Sequence, residues 1–161
     1  MALNFNNPGN IRLTSETWVG QVKPGDSTAF VTFSEPLYGY RALYKLIINY
    51  INGGFNNLNR IVYKYAPPGD NNPSNAYVQF LENYTGLNRE QTINPYDFST
   101  IFKIGMGISR FETGQIPNFE DAEAGLRLVL TSPNPVNYAG NGTNILPLLF
   151  LAGISLLFIK F

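Results

Sequence analysis

Between Pro36 and the Gly53-Gly54 pair, the stretch "PLYGYRALYKLIINYINGG" carries Leu37, Tyr40, Leu43, Tyr44, Ile47, Ile48 and Ile51. Their three- and four-residue spacing puts them on one face of an α-helix, and the paired glycines end it. Four further segments read the same way. "LNRIVYKYAPP" is a shorter helix closed by its prolines. "NPSNAYVQFLENYTG" has Asn72 as cap, Pro73 at the first position and Gly86 as its stop. "NPYDFSTIFKIGMGISRFETG" repeats that start at Asn94-Pro95 and runs through Phe98, Ile101, Phe102 and Ile108. "NFEDAEAGLRLVL" opens at Asn118, with Glu120, Asp121 and Glu123 in its first turns, where the helix dipole favours acids.

Ahead of the helices, "TWVGQVKPGDSTAFVTF" reads as a β-hairpin: Trp18, Val19 and Val22 lead into Pro-Gly-Asp-Ser, and residues 29–33 alternate on the far side. The expected fold is therefore a mainly helical α+β domain over residues 1–131. A Pro/Gly/Asn linker follows at 132–144. Residues 145–161 are apolar on every face, unlike a helix packed on a globule, and read as a C-terminal transmembrane anchor with Lys160 snorkelling at its end. A buried terminal helix is the alternative, because the run is slightly short for a bilayer core. The first residues carry neither a basic start nor an apolar run, so no signal peptide is expected.

Chemistry is bounded mainly by what is missing. The chain has no cysteine and no histidine, which removes disulfides, thiolate nucleophiles, the Ser-His-Asp triad and histidine acid–base work. A formal charge of zero, without a basic tract, argues against nucleic acid as a partner. Catalysis must then use carboxylates, hydroxyls, Lys or Tyr, or an oxygen-ligated metal; no metal site and no cofactor are expected. Abundant Asn and Tyr with few charges suits sugar binding, or reflects a compositional bias.

There are 11 Asp and Glu residues, and most have ordinary explanations. Glu120, Asp121 and Glu123 charge a helix start, Asp26 lies in a turn, and Glu16 sits in the loop after the opening turn. Glu112 differs. It ends a strongly apolar helix just before Gly114, so the negative end of the dipole and apolar neighbours should both raise its pKa, as a neutral-pH general acid requires. The alternative is a solvent-facing Glu before a glycine cap. Asp70, in a Pro/Gly/Asn loop before a helix, and Glu35, joining the hairpin to the long helix, are the next candidates. Helix capping and loop bonding are their plainer explanations.

The opening "NNPGNIR" makes a tight turn of Asn, Pro and Gly. It is the first of an ordered set: Asn6-Asn7-Pro8-Gly9-Asn10-Ile11-Arg12, Trp18-Val19-Gly20, Phe30-Val31-Thr32-Phe33, Gly39-Tyr40-Arg41-Ala42, Tyr65-Ala66-Pro67-Pro68-Gly69-Asp70-Asn71 with Tyr77, and Phe111-Glu112-Thr113-Gly114. Over roughly residues 4–130 this set resembles a family of phage and bacterial cell-wall lytic domains. Tyr65 and Phe111 stand where that family tends to have Trp and His, and Thr113 replaces Asn. The order of pieces is also what a circularly permuted lysozyme-like domain would give.

The resemblance implies peptidoglycan as substrate, cut at the β-1,4 bond between N-acetylmuramic acid and N-acetylglucosamine with Glu112 as acid. A lytic transglycosylase needs only that residue. A muramidase needs a second carboxylate, Asp70 before Glu35. Asn7, Asn10 and Arg12 would form a floor beside the cleft, Trp18 would pin the hairpin or stack on a sugar, and Tyr38, Tyr65, Asn71 and Tyr77 are binding candidates. The implied setting is the virion of a membrane-containing phage, with capsid or virion membrane proteins as further partners, or the host membrane. The rival reading is a structural virion membrane protein that keeps a lysozyme-like shape without activity.

Overall fold

The computed structural model describes residues 5–25, 29–70 and 73–132, with the side chain of Asp70 outside that description. Five α-helices follow an irregular N-terminal segment: α1 (Pro36–Asn52), α2 (Leu58–Tyr65), α3 (Ser74–Thr85), α4 (Phe98–Thr113) and α5 (Phe119–Thr131), with a short 3-10 turn at Pro68–Asp70. Helix α1 is the hub, packing on α5, α4 and α2, while α3 bridges α2 and α4. Its apolar stripe is buried as its spacing requires: Leu43, Tyr44, Ile47 and Ile48 are at most 1% exposed. Ile101, Ile104 and Ile108 of α4 and Leu126 of α5 close the core. The rings of Tyr40, Tyr44 and Phe102 stack in series, with centroids 6.2 and 6.0 Å apart. At the α1–α5 crossing, a Cβ on Gly125 would stand 2.8 Å from the Arg41 nitrogen and from the Leu37 carbonyl. Only glycine permits so close an approach.

Caps set the helix starts, and they shift two of them. Asn118 accepts from the Asp121 N–H at 2.9 Å and starts α5 as expected. Asn94-Pro95 does not start α4. Asp97 does, accepting from the Thr100 N–H at 3.0 Å, while the Asn94 side chain bonds the Tyr96 N–H in a turn of its own. Likewise Pro73 stands at the N-cap of α3 rather than inside it.

The expected α+β, lysozyme-like class with a hairpin and a transmembrane helix is corrected. No strand forms among the described residues; only single antiparallel bridges join Arg12 to Phe30 and Gln21 to Phe33. Residues 29–34 do lie between two extended neighbours, with Val31 N–H donating to the Ile11 carbonyl and Val22 N–H to the Thr32 carbonyl, both at 2.9 Å. Asparagine side chains interrupt the ladder. Asn7 Nδ2 donates to the Val31 carbonyl and Asn6 Nδ2 to the Phe33 carbonyl, at 2.9 and 3.0 Å. Those acceptors are then taken by amides rather than by a partner strand.

No helix among the described residues is long and apolar enough to cross a membrane. The strongly apolar α4 has 16 residues and carries Lys103, Arg110 and Glu112, whereas about 20 apolar residues are needed. The expected anchor at 145–161 and all but Ser132 of the expected linker lie outside the described residues.

Candidate functional site

The opening turn is built for positive φ. Asn6 and Asn10 have φ of 53° and 48°, a region that Asn tolerates better than other side chains. Asn7 is buried and bonds entirely inward: its Nδ2 donates to the carbonyls of Ile11 and Val31, and its Oδ1 accepts from the Ile11 N–H, all at 2.9 Å. Its place is under the turn, holding it, not on the cleft wall. Two further elements clamp the turn. Gly39 of α1 passes so close to the Asn6 carbonyl and Pro8 that a Cβ there would clash, and the Tyr65 hydroxyl donates to the Gly9 carbonyl.

This turn meets the end of α4. Gly114, at φ 68°, caps the helix in the left-handed conformation, so Glu112 sits one residue inside its last turn. The Glu112 carboxyl is half-buried. Tyr77 Oη donates to its Oε1 at 3.0 Å. Asn10 Nδ2 reaches both its Oε2, at 3.1 Å, and its backbone carbonyl, at 3.2 Å. Tyr77 is held in turn by Phe111, whose ring stacks on it with centroids 3.7 Å apart. Burial drives the pKa of Glu112 above the ordinary carboxylate value, and the hydrogen bonds from Asn10 and Tyr77 and the positive charge of Arg12 offset this only in part. Burial likewise pushes Tyr65 and Tyr77 well above the usual tyrosine value, which keeps both hydroxyls as donors.

A cleft of about 500 Å³ opens over Glu112, a volume suited to a small ligand or a sugar unit. Asn10, Arg12, Trp18 and Tyr65 are among the residues that line it. The Trp18 indole N–H is buried and has no acceptor among the described residues.

Other expected residues fall elsewhere. Tyr77 serves Glu112 from beneath and is only 1% exposed. Tyr38 lies against Gly20, its ring where a Cβ on that glycine would sit, and is absent from the cleft lining. Glu35 is exposed at the N-cap of α1, makes no side-chain cap bond, and is also absent from that lining. The backbone of Asp70 closes the 3-10 turn; its side chain and the whole of Asn71 lie outside the described residues. No group of acids that could hold a metal occurs among the described residues.

The lining residues outside the expected set include Tyr50 and Glu16. Tyr50 stands off the apolar stripe of α1, the one signal that could have marked it. Glu16, dismissed as a loop acid, lines the same cleft as Glu112; no local pattern betrays it, because the cleft exists only once the opening turn has docked on α4.

No family model matches the chain. Over 103 residues it is 29% identical to Protein P5 of Pseudoalteromonas phage PM2, a match covering 62% of this chain and 64% of P5. The chain thus spans less than two thirds of the length of that relative.

Proposed function

We propose that this chain cleaves the β-1,4 bond between N-acetylmuramic acid and N-acetylglucosamine in peptidoglycan, with Glu112 as general acid. One observation carries the reading: a carboxyl with a raised pKa, fixed by Tyr77 and Asn10, faces a sugar-sized cleft walled by Trp18, Tyr50 and Tyr65. A neutral carboxylic acid at that position protonates the leaving oxygen as oxocarbenium character develops at C1. Aromatic walls suit the apolar faces of pyranose rings. The ordered motifs shared with cell-wall lytic domains supply the substrate class. The likeness to a phage protein supports a place in the virion, opening the wall during entry.

The test is release of soluble sugars from purified peptidoglycan by the full chain and by its Glu112→Gln variant, read by mass spectrometry. The parent releases muropeptides, and the variant falls by about 10²–10⁴-fold, the usual contribution of a positioned acid. Equal release by the two would remove Glu112 from the reaction. No release from a folded parent would leave a structural virion protein as the better reading.

A further inference from the structure

Resting on that reading, we infer that Glu16 is the second carboxylate of the reaction, the general base that activates water, and that the chain is a hydrolase. Glu16 and Glu112 are the two carboxylates lining the cleft among the described residues. Among the acids whose side chains are described, the others are engaged or stand outside the cleft lining; those of Asp26 and Asp70 lie outside the description. Glu82 pairs with Arg89 at 2.5 Å and Glu123 with Arg127 at 3.0 Å. Glu90 accepts from Asn57 and Asn59 at 2.9 and 3.0 Å, and Asp97 caps α4. Glu35 stands outside the cleft lining.

Glu16 is exposed, but its loop is tied on both sides. Leu13 N–H donates to the Ala29 carbonyl at 2.9 Å, and Lys23 Nζ donates to Thr17 Oγ1 at 2.6 Å. The Glu16 N–H itself bonds Thr14 Oγ1 at 3.2 Å. Glu16 is thus an exposed residue on a tethered loop that lines the cleft. Glu112, by contrast, is half-buried and held by Asn10 and Tyr77. Two carboxyl groups in one cleft, one half-buried and one water-facing, are the division of labour that acid and base catalysis needs. No hydrogen bond joins them, and the charged neighbour that acts on Glu112 is Arg12. A single-displacement glycosidase needs such an acid and base on opposite faces of the sugar, with a water beside the base.

In the resulting step the bond from C1 of the muramyl residue to the bridging oxygen breaks as Glu112 gives that oxygen its proton. The water oxygen bonds to C1 from the opposite face, and its proton passes to Glu16. Glu112 is left ionised and Glu16 protonated, and exchange with solvent restores both.

The experiment uses the full chain, its Glu16→Gln variant and its Glu16→Ala variant with added sodium azide, on purified peptidoglycan. The expected result has four parts. The parent yields reducing-end sugars that take ¹⁸O from labelled water. Glu16→Gln melts like the parent but is slower by about 10²–10⁴-fold, with peptidoglycan binding unchanged. Azide accelerates Glu16→Ala and gives a glycosyl azide of inverted configuration. Anhydro-muropeptides from the parent would overturn the role of Glu16 and leave Glu112 standing. So would an undiminished Glu16→Gln, an azide product of retained configuration, or an azide-insensitive Glu16→Ala. A folded parent that releases nothing would overturn both assignments together.

Discussion

Asn10 and Glu112, 102 residues apart in the chain, are joined by one side-chain amide: Asn10 Nδ2 donates to the Glu112 carboxyl at 3.1 Å and to its backbone carbonyl at 3.2 Å. The turn thereby fixes both the helix end and the acid that stands on it. Asn10 itself sits at φ 48°, so replacing it by glycine removes the amide while keeping the backbone conformation. Asn10→Gly should hold its melting temperature within a few degrees and lose activity by about tenfold or more. Asn7→Ala should behave the other way round. It leaves buried Ile11 and Val31 groups unpaired at roughly 1–3 kcal/mol for each unsatisfied group, and a chemical denaturation series on both variants separates the two roles.

Under the proposed function, Glu112 ties activity to pH through its raised pKa. As a general acid it acts in its protonated form, so kcat/KM should fall on an alkaline limb placed above the ordinary carboxylate range. The hydrogen bond from Tyr77 favours the ionised form. Tyr77→Phe should therefore move that limb to higher pH, and Arg12→Gln should move it the same way by removing a positive neighbour. A pH–rate profile of the three proteins gives the answer, and a downward shift in either variant would contradict the electrostatic account.

Stability should carry the same signature with a definite sign. The folded state holds the Glu112 proton more tightly than the unfolded chain does. Its contribution is therefore greatest below the ordinary carboxylate range and is lost as pH rises through the raised value. Glu112→Gln has no proton to lose. The difference in melting temperature, variant minus parent, should grow more positive from acid to neutral pH, as thermal melts across that range would record.

The α1–α5 crossing offers a test away from the cleft. Gly125→Ala drives a methyl group against the Tyr40 Cβ, the Arg41 nitrogen and the Leu37 carbonyl, backbone that cannot turn aside. A loss of about 1–3 kcal/mol is expected, typical of overpacking, measurable by urea unfolding. Gly86→Ala meets no neighbouring atom but pays for its φ of 76°, so it should cost less.

Helices were legible because periodicity and caps are local. The α1 stripe, Gly86, Gly114 and Asn118 act where the sequence shows them. Glu112 stood out for the same reason, since a helix end and its apolar neighbours are contiguous in sequence. The hairpin misled because alternation predicts extended backbone, which is present, yet cannot show how few bonds join the two arms: Val22 to Thr32 and Ser34 to Gly20. Asn7 itself was placed at the cleft because residue type does not reveal which way an amide points. Glu16 became visible only through tertiary structure: beyond its own loop, the cleft is lined by Leu46 and Tyr50 of α1, Tyr65 of α2 and Glu112 of α4, none of them near it in sequence.

The clamps on the opening turn also set a clock. Gly39, Tyr65 and Glu112 close on Asn6, Gly9 and Asn10 in that order along the chain. A ribosome adding roughly 5–20 residues per second needs on the order of 5–20 seconds to travel from Asn10 to Glu112. Through that interval the nascent polypeptide carries its cleft residues without its acid, and a fragment ending before α4 never acquires it. Under the proposed function, synthesis from the N-terminus is itself a safeguard, because any product cut short before α4 lacks the carboxyl that the reaction requires.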